Sequence, residues 1–358
     1  MSYVLAFAGF ALLIILHEAG HFTAAKAVGM RVERFALFFP PLLFKKKVGE
    51  TEYGIGAIPL GGYVRISGMN PYEEIPEEHQ HRAYFRQPVW KRIVVIAAGP
   101  FVNVVIGIAI FAGIYAVHGT FETTNQVAKG SFKAPALGAL QPGDRILAVD
   151  GHRGDVQAIR DATQKHRCAG PQQQGCVAAT PARVLIERDG TQRTLLLRPR
   201  YDAAAKLMLI GFTFDGHIVK RSLGGALSLA VTRSWQIGRD TVKAIARIFY
   251  SSKARKDVSG VVGSYEVTQQ SFGFDTTQAI LVLGIISLSL AVVNLFPFLP
   301  LDGGHIFWAL AEKIRGRPIP FSVIERASAV GFILVIMLFV IGLSNDIGRL
   351  RGEGFGLR

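Results

Sequence analysis

The chain has 358 residues, with 40 Lys and Arg against 26 Asp and Glu, a net charge of +14, half of its residues hydrophobic and only 18% charged. A mean hydropathy of +0.31 and so few charges exclude both an ordinary soluble enzyme, in which about a quarter of residues are charged, and intrinsic disorder. The basic excess reads as membrane topology rather than nucleic-acid binding, because it collects largely in loops beside apolar blocks.

Residues 2–16 carry no charge. A bilayer core needs about 20 apolar residues in a helix, so this first span reaches full length only by continuing through His17 and Glu18 to about Val28. Only Met1, Ser2 and Tyr3 precede the run, and none is basic. The segment therefore reads as a span and not as a signal peptide. The continuation is His17-Glu18-Ala19-Gly20-His21. On a helix, positions i and i+4 share a face, so both imidazoles can reach one zinc ion, with Glu18 beside them as a proton acceptor. Three ionisable groups at membrane depth need such a reason.

Segment 53–66 is β-prone and broken by Gly and Pro, which predicts a hairpin that includes Gly61, Gly62 and Tyr63. The second charge-free run, 93–117, holds Asn103. An amide there can bond substrate backbone or an oxyanion, or join a neighbouring helix.

Segment 121–215 reads as a compact β-rich domain, with two β-prone runs joined by Asp189-Gly190. Cys168 and Cys176 lie eight positions apart within it, an expected disulfide if the domain is extracytoplasmic. Residues 217–256 interleave basic and apolar side chains, as amphipathic helices on the outer leaflet do.

The third charge-free run, 276–301, contains Asn294, open to the same two readings as Asn103, and Pro297 and Pro300, which loosen the helix before Asp302. Zinc needs a third protein ligand. Asp302 is the leading candidate, set against a plain helix-cap role, and His305 is a rival. The fourth run is 327–345. Basic residues between the first two runs (such as Lys45, Lys46, Lys47) and between the last two (such as Lys313, Arg315) put both loops in the cytoplasm and the N-terminus outside. The first and third spans then both run inward, which brings His17 and Asp302 to a similar depth.

Taken together, these residues resemble the site-2 protease family of intramembrane zinc metalloproteases, peptidase family M50, and most of all its bacterial regulator-of-sigma-E branch. HEAGH at 17–21 resembles the family's zinc motif, and Asn294-Leu-Phe-Pro297-Phe-Leu-Pro300-Leu-Asp302-Gly resembles its N-x-x-P-x-x-x-L-D-G signature. Gly61-Gly62-Tyr63-Val64 is similar to the family's glycine-rich hairpin, and Gly99-Pro100-Phe101-Val102-Asn103 to its G-P-x-x-N motif. The resemblance implies that zinc is the cofactor, held by His17, His21 and Asp302, with Glu18 the catalytic base. It also implies that the hairpin is re-entrant from the cytoplasmic side and holds unwound substrate. Segment 136–144, before the first strand of the β-rich domain, is similar to the PDZ pattern of that branch.

The expected architecture is an α-helical polytopic membrane protein of four transmembrane helices with one inserted extracytoplasmic PDZ-like domain. Its parts are an N-terminal membrane core (1–118), the PDZ-like domain (121–215), membrane-surface helices (217–263), a C-terminal membrane core (276–345) and a tail (346–358). The expected activity is cleavage of transmembrane segments of single-span proteins in a bacterial inner membrane. By resemblance, the partners are anti-sigma-factor-type substrates or remnant signal peptides, first trimmed by an upstream extracytoplasmic protease. The rivals are a non-catalytic scaffold that binds peptides through the PDZ domain and a zinc transporter. Neither needs a base beside the metal.

Overall fold

The computed structural model describes residues 1–70, 72–130, 132–203 and 205–352; residues 353–358 of the expected tail lie outside the described residues. The chain divides into two compact units, Met1–Ala116 with Ser222–Arg358, and Val117–Arg221.

The first unit is mostly helical. Helix α1 (Ser2–Ala27) is followed by long strands β1 (Val32–Val48) and β2 (Thr51–Ile66), a short helix α2 (Glu77–Gln80), and helix α3 (Val89–Val117). Four described helices are long and apolar enough to cross a membrane, and α1 and α3 are the first two. Gly20 lets them touch: a Cβ there would stand 2.6 Å from the Ala98 carbonyl oxygen of α3. Apolar helices in lipid gain by this close backbone approach, because no hydrophobic effect drives them together.

The paired strands are more elaborate than the hairpin expected over 53–66. Phe35 pairs with Val64 on one side and with Tyr53 on the other, and residues 42–48 pair with 51–56. Each long strand bends midway, at Phe38–Pro41 and near 57–61, and the result is a four-row sheet with 62–66 at one rim. Phe22 of α1 packs on Phe35 and Tyr53, with ring centroids 5.2 and 5.9 Å apart, which seats the sheet against the HEAGH helix.

In the second unit the sheet order is β10-β3-β4-β6-β7. Its strands are β3 (Thr120–Val127), β4 (Arg145–Val149), β6 (Ala182–Arg188), β7 (Thr191–Leu197) and β10 (Phe214–Val219), with a short β5 (His152–Arg153) paired to β4, a separate β8–β9 pair (Arg200–Asp202, Leu207–Leu209), and helix α4 (Val156–Gln164). Asp189 and Gly190 join β6 to β7 with φ of 51° and 73°, the positive angles that a two-residue hairpin turn requires. Val127, Ile146, Val149, Ile159, Val184 and Ile186 form the buried core. Asp144, 2% exposed, is clamped by Arg188, whose Nε and Nη2 each donate at 2.7 Å.

The chain returns to the first unit as α5 (Leu223–Ile248), α6 (Ser252–Asp257), α7 (Val261–Phe274), α8 (Thr276–Asn294), α9 (Asp302–Arg315) and α10 (Phe321–Arg351). Helix α5 buries Ala226, Ala230 and Ser234, while Trp235 and Val242 stay exposed. Fully buried Asp346 of α10 accepts from the amides of Gly260 and Gly263, at 3.0 and 2.7 Å, and so caps α7. The third charge-free run is not one helix through residue 301. Helix α8 stops at Asn294, residues 295–301 form a loop, and Asp302 opens a separate helix. Pro297 and Pro300 lack the amide that an α-helix needs, and a count of charges is blind to that break.

Candidate metal centre

His17 and His21 lie one turn apart on α1, both 7% exposed. The loop 295–301 turns back so that Asp302, at the start of α9, meets them. His17 Nε2 lies 3.4 Å from Asp302 Oδ2, His21 Nε2 lies 3.3 Å from the same oxygen, and the two Nε2 atoms are 3.3 Å apart. Among the described residues, only these three His, Cys, Asp or Glu side chains converge as a possible metal-binding group. His305, one turn further along α9, is not part of it.

The chemistry of this triangle fits a cation. The backbone carbonyl of Val95 lies 2.9 Å from His21 Nδ1. A carbonyl only accepts, so Nδ1 carries the proton and the Nε2 of the neutral ring presents a lone pair. Asp302 Oδ2 is buried without a hydrogen-bond donor. Acceptors facing one another at this distance repel unless a cation lies between them. A tetrahedral zinc site with bonds of about 2.0–2.1 Å separates its ligands by about 3.3–3.4 Å, which matches all three observed edges.

Glu18, half-buried, stands between this triangle and the rim of the sheet. A Cβ on Gly62 would lie 2.7 Å from its Cγ. Tyr63 stacks on Phe39 at 6.1 Å and accepts from Arg34, while Gly61 lies under the Phe39 ring. An open groove of about 400 Å3 runs along residues 63–66 and is also lined by Met69, Asn70 and Glu73. Asn294 Nδ2 lies 3.4 Å from His17 Nε2, on the side of the triangle, whereas Asn103 Nδ2 lies on the far side of the same ring, 3.1 Å from Nδ1.

The model of peptidase family M50 matches residues 5–338. The chain belongs to peptidase family M50. This is the site-2 protease family, and its members are zinc-dependent metalloproteases of membranes. Three similar proteins, from Campylobacter jejuni, Rhizobium meliloti and Clostridium perfringens, are each named "Putative zinc metalloprotease". They are 28%, 29% and 30% identical, over 95%, 95% and 97% of this chain and 92%, 95% and 98% of their own lengths. As an M50 protein, this chain is a zinc-dependent multi-pass membrane protein.

Sequence reasoning missed several groups around the triangle. Gly99 faces both imidazoles, and a Cβ there would lie 2.3 Å from His21 Nε2 and 2.9 Å from His17 Cε1. The glycine of the G-P-x-x-N motif was the available signal. Arg92 of α3 grips Glu312 of α9 through two bonds, at 3.0 and 2.7 Å, and so ties the helix that begins with Asp302 to α3. Their separation of 220 positions left no local signal.

Proposed function

We propose that this M50 protein hydrolyses a peptide bond within or beside the transmembrane helix of a single-span membrane protein. His17, His21 and Asp302 would hold the zinc and Glu18 would act as base. The observation that carries this reading is the triangle of acceptors 3.3–3.4 Å on a side with a carboxylate next to it.

A zinc ion held by His17, His21 and Asp302 would supply polarisation of the scissile carbonyl and a lowered pKa for a water. Glu18 takes the proton from the attacking water and passes it to the leaving amine. The Asn294 amide, on the open side of His17, donates to the developing oxyanion or to substrate backbone. A helical substrate must first unwind, because its peptide bonds are shielded by their own hydrogen bonds. Rim strand 62–66 would hold the unwound segment by strand addition, with its side chains in the groove along Tyr63 to Ile66.

Basic loops between the first two spans and between the last two support a topology with the N-terminus and residues 121–215 outside a bacterial inner membrane and the four-row sheet entering from the cytoplasmic face. The strand order and α4 of the second unit support a PDZ-like module that filters substrates by size or binds peptide ends. Helix α5, with one face buried and another apolar and exposed, suits the membrane surface. Anti-sigma-factor-type proteins and remnant signal peptides, cut first by an extracytoplasmic protease, fit such a site.

The deciding experiment is cleavage of a reporter single-span protein in liposomes by wild type and Glu18→Gln, with bound zinc assayed in both. Cleavage by wild type alone, with zinc in both, supports the reading. Zinc in neither overturns the ligand set.

A further inference from the structure

His17 sits between two asparagines, one at each ring nitrogen. Asn294 stands at Nε2, inside the triangle, and Asn103 at Nδ1, behind it. We propose that Asn103 is a positioning residue for His17: its side-chain oxygen accepts the Nδ1 proton and fixes the tautomer whose Nε2 lone pair faces His21 and Asp302. This rests on the assignment of His17 as a zinc ligand.

A neutral imidazole has one N–H, and Nε2 is free for a metal only when that hydrogen is on Nδ1. For His21 the Val95 carbonyl enforces this at 2.9 Å. Among the described residues, Asn103 is the hydrogen-bond partner of His17 Nδ1, and His17 is the only hydrogen-bond partner of the Asn103 side chain. In the structure the amide Nδ2 is the atom placed at Nδ1, and Oδ1 is buried without a partner; a half-turn of the amide exchanges the two. Facing Nδ1 with NH2 would force the ring hydrogen onto Nε2, into the triangle of acceptors. Facing it with oxygen gives His17 the same arrangement as His21.

Asn103 is 0% exposed, so it cannot reach substrate without the helices parting. Its backbone is fixed as well: Ser287 of α8, also fully buried, donates its hydroxyl to the Asn103 carbonyl at 2.9 Å. The two asparagines of the charge-free runs thus divide the work, Asn103 on the ring and Asn294 on the reacting side.

The test compares zinc affinity, by chelator competition, in wild type, Asn103→Leu and Asn103→Asp. Leucine removes the acceptor and should weaken zinc by about 10- to 100-fold. Aspartate keeps an acceptor and should stay nearer wild type than leucine does. A second readout uses metal-free wild type at a pH where both rings are neutral. Nitrogen-15 NMR of labelled histidines should find the His17 hydrogen on Nδ1. An unchanged zinc affinity in Asn103→Leu overturns the inference, and so does a His17 hydrogen on Nε2. The NMR readout stands if the leucine variant does not fold. Failure of the ligand assignment itself looks different, because zinc would then survive His17→Ala.

Discussion

Gly99 of α3 and His21 of α1 are packed so closely that a Cβ on Gly99 would stand 2.3 Å from His21 Nε2. The methyl group would overlap the edge of the imidazole that faces His17 and Asp302. Gly99→Ala must push both rings out of the triangle or part α1 from α3. We expect zinc retention to fall at least tenfold and cleavage to fall by about 100-fold or more, with the helices still formed. Zinc stoichiometry after dialysis, alongside circular dichroism, checks this; full zinc occupancy in Gly99→Ala would refute it.

Gly62 makes the matching contact on the other side. Its Cβ would lie 2.7 Å from Glu18 Cγ and 3.1 Å from the Ala36 carbonyl oxygen. Gly62→Ala should move Glu18, the proposed base, without touching the triangle. The expected result is a fall in kcat of about tenfold or more with zinc intact, which separates this variant from Gly99→Ala. Single-turnover kinetics with parallel metal analysis reads both quantities. Loss of zinc in Gly62→Ala would count against this division.

The residues of the triangle were legible because membrane depth makes ionisable groups expensive. His17, Glu18, His21 and Asp302 stand at the ends of charge-free runs, where each demands a reason. The fold-back between Asn294 and Asp302 was not legible, since a charge count treats a proline loop and a helix alike. The four-row sheet was missed for a related reason. Phe35-Ala-Leu-Phe-Phe-Pro-Pro41 lacks the alternation of a half-buried strand, and its rows are set by pairings on both sides. The asparagines were visible as residues, but which nitrogen of His17 each would meet depends on how α3 and α8 lie against α1. Arg92 and Glu312 depend on tertiary structure in the same way.

The Arg92–Glu312 clamp should therefore act on the metal from a distance. Arg92 is 8% exposed, and removing one partner of such a buried pair is costly because the other charge is left alone. Glu312→Gln should loosen the start of α9 and with it Asp302, lowering zinc affinity by about tenfold. Arg92→Lys should not match wild type, since a lysine cannot donate two parallel bonds. Chelator competition on both variants is the check. Wild-type affinity in both would show that α9 is held by its packing alone.

The turn between β1 and β2 sets an acid limit on the sheet. Glu50 accepts from Arg82 at 2.6 and 2.8 Å and pairs with Lys26 of α1. The guanidinium beside it is the largest influence, and it holds the carboxyl at about 2, against an ordinary value of 4.5. A depressed folded-state pKa means that the contribution to stability is fully present above 4.5 and is lost progressively as pH falls from there toward 2. The pair is partly solvated, with Glu50 28% exposed, so the effect is modest and weakened by salt. Glu50→Gln should lower the melting temperature at pH 7 and leave a smaller further loss between pH 5 and 3 than wild type shows. Equal pH slopes for the two proteins would mean that other carboxylates set the acid limit.

In the second unit, Asp144 is the most deeply placed charge paired with an arginine. Desolvation opposes its ionised form, yet the Arg188 guanidinium and the Gln141 amide outweigh that cost and hold the carboxyl below its ordinary value. Asp144→Asn should destabilise this unit by about 2–4 kcal/mol, because Arg188 then loses its charged partner in a poorly hydrated place. The Cys168–Cys176 pair supplies an independent brace. Their Cα atoms are 5.8 Å apart, within the usual span of a disulfide, and a bond there should add about 2–3 kcal/mol to the same unit. The two sites share no partner, so the losses in Asp144→Asn and in a Cys168→Ser, Cys176→Ser variant should add. Thermal unfolding of the full-length protein in detergent, followed by near-ultraviolet circular dichroism with and without reductant, measures both. Reductant should lower the unfolding temperature of wild type and leave the serine variant unmoved; a wild type insensitive to reductant would mean that the two thiols are free.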